Sequence, residues 1–154
     1  MDEIIGFKDL KVGQQVKAKG KQGGNGTFTA FEISVRPQKE HSSMNGPIQE
    51  IDSSKKTLRV LNRDVSVDGE IEFMDEFGDD VEFERLQAGA VVKVKGTYLG
   101  AGKFKADSVK TKDSRGHKGE KVQGKIEKID LDNQTLHIDG VQIVANGKTI
   151  IEGF

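Results

Sequence analysis

Leu10-Lys-Val-Gly13-Gln-Gln-Val16-Lys-Ala-Lys19-Gly20 returns 76 positions later (Leu10 to Leu86) as Leu86-Gln-Ala-Gly89-Ala-Val-Val92-Lys-Val-Lys95-Gly96. Gly26-Thr-Phe28-Thr-Ala30 returns at the same spacing as Gly102-Lys-Phe104-Lys-Ala106. A second block, Gly46-Pro-Ile48-Gln-Glu-Ile51-Asp52 with Thr57-Leu58-Arg-Val60, returns after 78 positions (Gly46 to Gly124) as Gly124-Lys-Ile126-Glu-Lys-Ile129-Asp130 with Thr135-Leu136-His-Ile138. With the first block called B and the second A, the chain reads B, A, B, A. One whole A-B unit therefore lies between two halves of another.

Each block reads as β-structure. Val16, Ala18 and Gly20 alternate with Lys17, Lys19 and Lys21, and Val92, Val94 and Gly96 with Lys93 and Lys95. A period of two with apolar and charged faces is that of a strand buried on one side and wet on the other. Gly23-Gly-Asn-Gly26 and Gly100-Ala-Gly102 supply turn chemistry, so each B block is expected to be a hairpin. Each A block is expected to be a three-stranded meander, turning at Asp52-Ser-Ser-Lys-Lys or Asp130-Leu-Asp-Asn-Gln and continuing into Val65 and Val67 or Val141 to Val144. Asp79 to Leu86 is expected to form one or two helical turns or a loop.

Three strands, a connection and two strands is the order of an OB-type five-stranded barrel. The expected fold is all-β, with two OB-like barrels from the internal repeat, one circularly permuted around the other. Residues 45–111 form the complete barrel, and 1–36 with 121–154 form the permuted one, through linkers near 37–44 and 111–120. A monomer is expected, because closure within one chain has the higher effective concentration. Exchange of halves between chains, giving a swapped dimer or a filament, is the alternative.

Composition narrows function by exclusion. The chain has 154 residues, a net charge of -1, 34% hydrophobic and 32% charged residues, and no cysteine. A disulfide, a thiolate zinc site and a thiol nucleophile are thereby excluded. Near-zero net charge gives no global attraction to nucleic acid or anionic lipid, and no apolar run approaches spanning length, so membrane insertion is not expected.

The G-x-I-x-x-I-D, T-L-x-V, L-x-x-G-x-x-V-x-V-x-G and G-x-F-x-A elements quoted above resemble those of a bacterial domain-of-unknown-function family of tandem OB-like β-barrel repeats. The resemblance covers nearly the whole chain. It implies an exported protein, periplasmic or extracellular, and carries no chemistry with it. A further resemblance is to the OB-fold haem chaperone of cytochrome c maturation, where a G-x-F-x-A strand is followed by a histidine. Here that would point to His41 or His117, neither of which is followed by that family's tyrosine.

His41 and His117 are themselves 76 positions apart and each follows a B block, which makes them the candidate metal or haem ligands. The bland alternative, polar linker residues, is favoured because neither sits in a ligand motif. The acidic stretch Asp75-Glu-Phe-Gly-Asp79-Asp80-Val-Glu82 lacks calcium-loop spacing and reads as a solvated connector, and Asp130-Leu-Asp132-Asn133 reads as a β-turn. Gly147-Lys148-Thr149 resembles the end of a phosphate loop, but Gln142 stands where the first glycine belongs, and the segment reads as strand.

Single-stranded nucleic acid is an alternative ligand of such barrels, with Lys17, Lys19, Lys93 and Lys95 as phosphate partners. Phe7, Phe28, Phe83 and Phe104 pair across the repeat and are assigned to the core, leaving Phe31, Phe73, Phe77 and Tyr98 to stack bases without a repeated pattern. Nucleic acid is therefore not the expected partner. No catalytic set is present, and the chain is read as a non-enzymatic binding or structural module without a cofactor, whose partner is a protein or a small ligand.

Overall fold

A computed structural model describes residues 6–23, 27–36, 42–67, 69, 71–75, 77–112 and 119–153. The alternating segments form β1 (Gln15–Gln22), β2 (Thr27–Arg36), β3 (Ser42–Asp52), β4 (Thr57–Val60), β5 (Arg63–Ser66), β6 (Glu72–Met74), β7 (Val91–Gly100), β8 (Lys103–Thr111), β9 (Glu120–Asp130), β10 (Thr135–Ile138), β11 (Val141–Val144) and β12 (Ile150–Glu152). Single 3-10 turns at Phe7–Asp9 and Phe83–Arg85 precede the two lysine-bearing hairpins, and each buries its phenylalanine. The fold is all-β, as the two-residue period predicts. Among the described residues no helix is long and apolar enough to cross a membrane.

Hydrogen bonding closes two circuits of five strands. In the first, β3 pairs antiparallel with β4, β4 with β5, β5 parallel with β8, β8 antiparallel with β7, and β7 with β3. In the second, β9 pairs antiparallel with β10, β10 with β11, β11 parallel with β2, β2 antiparallel with β1, and β1 with β9. A short sixth strand adds parallel to each, β6 on β8 and β12 on β2. These two strands have three residues each, too few to show a period.

The circuits meet where β3 pairs with β9 through Ser43 with Gln123, Met44 with Val122 and Asn45 with Lys121. β3 begins at Ser42, inside the stretch read as linker, and these added residues make the junction. Pairing is continuous from β2 to β8, and it lines up Ile33, Ala18, Val122, Met44, Val94 and Val109 as direct partners. All six are buried to 1% exposure or less. At about 1.5–3 kcal/mol for a fully buried aliphatic side chain, this row alone is a large share of what holds the circuits together.

Local chemistry bends the strands where the circuits need it. A bulge in β3 leaves Gln49 unpaired between Ile48 and Glu50, and its Oε1 accepts from the Asn62 N–H at 2.8 Å. In β9 the bulge leaves Glu127, whose Oε1 accepts from the Gly140 N–H, also at 2.8 Å. Both receiving turns, Leu61-Asn62 and Asp139-Gly140, have two consecutive positive φ angles, the backbone that matches strand twist in a two-residue hairpin. A bulge re-aims a side chain, here onto the turn that closes the adjacent hairpin.

Gly20 and Gly96 explain why an alternating strand ends its apolar series in glycine. Each sits at a register shift, and a Cβ there would overlap the carbonyl oxygen of Thr29 or of Lys105 on the partner strand. Gly96→Ala is expected to destabilise the fold by about 2–3 kcal/mol, because backbone must move to admit the methyl group. Gly147→Ala, where nothing lies within 4 Å of the added atom, should stay within about 0.5 kcal/mol. Urea melts of the two variants check this.

Candidate functional site

Two surfaces and one buried cluster carry chemistry. The first surface is an open groove of about 690 Å³ on the first circuit, across β3, β4 and β5 and between the β3–β4 and β7–β8 turns. Ile51, Leu58 and Leu99 supply apolar contact, and Leu99 is 61% exposed. Around them stand Glu50, Asp52 and Asp64 against Lys55, Arg59 and Lys103, so the rim is balanced in charge. Arg59 and Asp64 pair across the two strands at 2.8 Å. The Asp52 carboxylate accepts from the Ser54 and Lys55 N–H groups and so fixes the turn that forms one wall.

The second surface follows from strand parity. If Ala18, Val122, Met44 and Val94 point inward, their neighbours point outward. Direct partners on β1, β9, β3 and β7 are then Lys17, Gln123, Ser43 and Lys95 in one row and Lys19, Lys121, Asn45 and Lys93 in the next. The second row continues to Lys110 on β8. Between the strands lie two small cavities. One, of about 130 Å³, is lined by Lys17, Lys93, Lys112 and Lys121 with Ser43, Asn45 and Gln123. The other, of about 160 Å³, is lined by Lys93, Lys95, Lys110 and Lys112 with Ser108 and Met74. Partial burial, followed by the neighbouring lysines, holds the ammonium groups of Lys17 and Lys93 below the usual lysine range.

Beneath the junction lies Arg63, 1% exposed. Its Nη1 donates to the Asp139 carbonyl oxygen at 2.7 Å, its Nη2 lies 3.3 Å from the Met44 Sδ, and its guanidinium carbon is 5.2 Å from the Phe104 ring centre. Burial pulls this guanidinium down to about 10, against the opposing pull of Asp139. Burial likewise raises the Asp139 carboxyl, with a hydrogen bond from Ser42 and the charge of Arg63 acting in the other direction. The Tyr98 ring packs against Gly140, and its hydroxyl accepts from the Gly102 N–H at 3.0 Å.

His41 and His117, the candidate metal or haem ligands, lie outside the described residues. Among the described residues no group of three or more histidine, cysteine, aspartate or glutamate side chains is placed to hold a metal. The Asp75 carboxylate accepts from the N–H groups of Phe77 and Asp79, a turn-forming role. Asp130 does the same with Asp132 and Asn133, and the side-chain hydrogen bond from Asn133 is the main cause of its lowered pKa. Gly147 and Lys148 form a turn, and not the strand read from the sequence, which starts at Ile150. Asn146 accepts there from the Lys148 N–H, and the Thr149 hydroxyl donates to the Ala30 carbonyl.

The aromatic residues divide much as expected. Phe7, Phe28, Phe83 and Phe104 are core. Of the four left for stacking, Phe73 packs edge-on against Phe83 with ring centres 6.0 Å apart and Tyr98 packs at the junction, while Phe31 and Phe77 are exposed. None of the four lines either lysine cavity. Lys17, Lys19, Lys93 and Lys95 are outward-facing as the alternation predicts. Their meeting with Lys121 is set by the β3–β9 pairing, and the only trace of it in the sequence is the same period of two in Lys121 to Gly124 and Ser43 to Gly46.

Residues 2–34 and 45–110 match the family described as a domain of unknown function, DUF5666. The chain belongs to this family. The DUF5666 match takes in β1, most of β2 and nearly all of the first circuit, and so includes the groove and both lysine-bearing hairpins. No curated protein and no solved structure matches the chain.

Arg63→Ala should destabilise the fold by about 3–5 kcal/mol, since it leaves the buried Asp139 carbonyl without its donor and removes the positive charge that acts on the Asp139 carboxylate, and adding Asp139→Asn should recover part of the loss. The Asp139 carboxyl has a native pKa above its unfolded value of 3.8. The folded state therefore holds the extra proton in that window, so stability falls as pH rises through it. Asp139→Asn should abolish that component of the fall in denaturant melts run across the acid range.

Proposed function

We propose that this DUF5666 chain is a non-enzymatic binding module made of two OB-like barrels and working outside the cytoplasm. On this reading residues 45–111 are the complete barrel, and 1–36 with 121–154 build the second by circular permutation around it. The strand order supports the assignment. A long first strand pairs with both the second and the fourth, and a parallel contact of the third with the fifth closes the circuit, as β3, β4, β5, β8 and β7 do.

The observation that carries the binding role is the groove over β3, β4 and β5. Its position between two turns is where barrels of this kind take ligands. Its composition suits a polar ligand of little net charge that also presents an apolar face, such as a short peptide or an oligosaccharide. Ile51, Leu58 and Leu99 would receive the apolar side, and the balanced rim would receive hydrogen-bonding groups. No catalytic residue is part of this reading.

Titration of short neutral peptides and oligosaccharides into the labelled protein, followed by amide nuclear magnetic resonance, tests it. Shifts should concentrate at Glu50 to Asp52, Thr57 to Arg59, Leu99 and Lys103, and Leu99→Asp should remove them. Shifts confined to other surfaces, or none across both ligand classes, would count against the groove.

A further inference from the structure

We propose that the lysine face over the β3–β9 junction is a second binding site, separate from the groove, and that it takes a linear chain of phosphate groups without bases, that is, an inorganic polyphosphate. The two cavities share Lys93 and Lys112, so they adjoin and can accept two neighbouring phosphates of one chain. Ser43, Asn45, Gln123 and Ser108 stand among the ammonium groups, adding hydroxyl and amide donors to the charge. Among the described residues no carboxylate lines either cavity.

Charge of one sign in this density works against folding. Like charges directly opposite on neighbouring strands are destabilising, and Lys93 faces Lys110 while Lys19 faces Lys121. Partial burial lowers the pKa values of Lys17 and Lys93 first, and the neighbouring lysines lower them further. An anion that binds only the folded state relieves that repulsion.

Both edges of the face carry carboxylate. The β1–β2–β12 edge places Glu32 opposite Lys19 and Glu152 opposite Ser34, and the β8–β6 edge places Glu72 opposite Ser108. The lysines without a carboxylate on the directly paired residue, Lys93 and Lys121 with Lys110, lie between those edges, in the middle of the face. Among the described residues no aromatic side chain lines either cavity, which argues for phosphate without bases, because single-strand nucleic-acid sites combine cations with stacking platforms.

The test is fluorescence anisotropy with labelled medium-chain polyphosphate and with oligothymidylate of equal charge, at about 50 and 200 mM salt. Polyphosphate should bind more tightly than oligothymidylate and lose about tenfold or more in affinity between the two salt concentrations. Lys93→Gln with Lys121→Gln should weaken binding by about tenfold or more and raise the melting temperature, whereas Lys55→Gln with Lys103→Gln in the groove should change neither binding nor its salt dependence.

In the unaltered protein, polyphosphate should protect Lys93, Lys112 and Lys121 from acetylation and leave Lys55 and Lys103 reactive. No binding at low salt, equal losses from the groove pair, or protection of the groove lysines would overturn the proposal. Tighter binding of oligothymidylate would overturn it in favour of nucleic acid. Loss of groove ligands without loss of polyphosphate would touch only the first reading.

Discussion

The pairing of Met44 with Val122 is the contact on which the rest of the molecule turns. It is the middle of only three paired residues between β3 and β9, yet both strands also belong to closed circuits, so those three pairs make one sheet of two units. The side chains it buries are continuous with the interiors on either side, from Ile33 to Val109. Because a strand exposes every second residue, burying Ala18, Val122, Met44 and Val94 sends Lys17, Lys19, Lys121, Lys93 and Lys95 to the opposite face. A slip of one residue would bury the lysines, so the register is strongly specified. The cationic surface and the core are two consequences of one pairing.

Under that sheet the junction is polar at one point. Arg63 and Asp139 are both buried, and removing such charges from water is costly unless they are paired and hydrogen-bonded. The guanidinium offsets part of the cost through the Asp139 carbonyl, the Met44 sulfur and the face of Phe104, while its Nε and the Asp139 Oδ2 find no hydrogen-bond partner among the described residues. These directional contacts add to the register that the alternation of apolar residues and lysines already specifies. Tyr98 adds to this by tying the β7–β8 turn to the hairpin turn at Gly140.

Much of the fold was legible in the sequence because period and turn chemistry are local. Val16 to Lys19 and Val92 to Lys95 announce strands with one wet face, and Phe28 and Phe104 occupy the core positions their repetition implies. The β6 and β12 strands were not legible, since three residues carry no period and their pairing is parallel to a distant strand. Arg63 gave no signal either, because a lone arginine after a turn looks like surface until the other unit closes over it. The lysine site was half visible. Each lysine was assigned to a wet face, but which wet faces adjoin is decided by β3 and β9, far apart in the chain.

Closure of the second circuit needs β1 and β2 from the start of the chain to pair with β9 and β11 from its end. The same pairs could form between two molecules, and the hydrogen bonds would be identical. Solution mass measured by light scattering across a concentration series separates the two cases. Closure within one chain predicts a single species near 16.9 kDa at every concentration. A mass that climbs with concentration to a dimer or a ladder of larger species would contradict it and place the pairing of β1 with β9 and of β2 with β11 between chains.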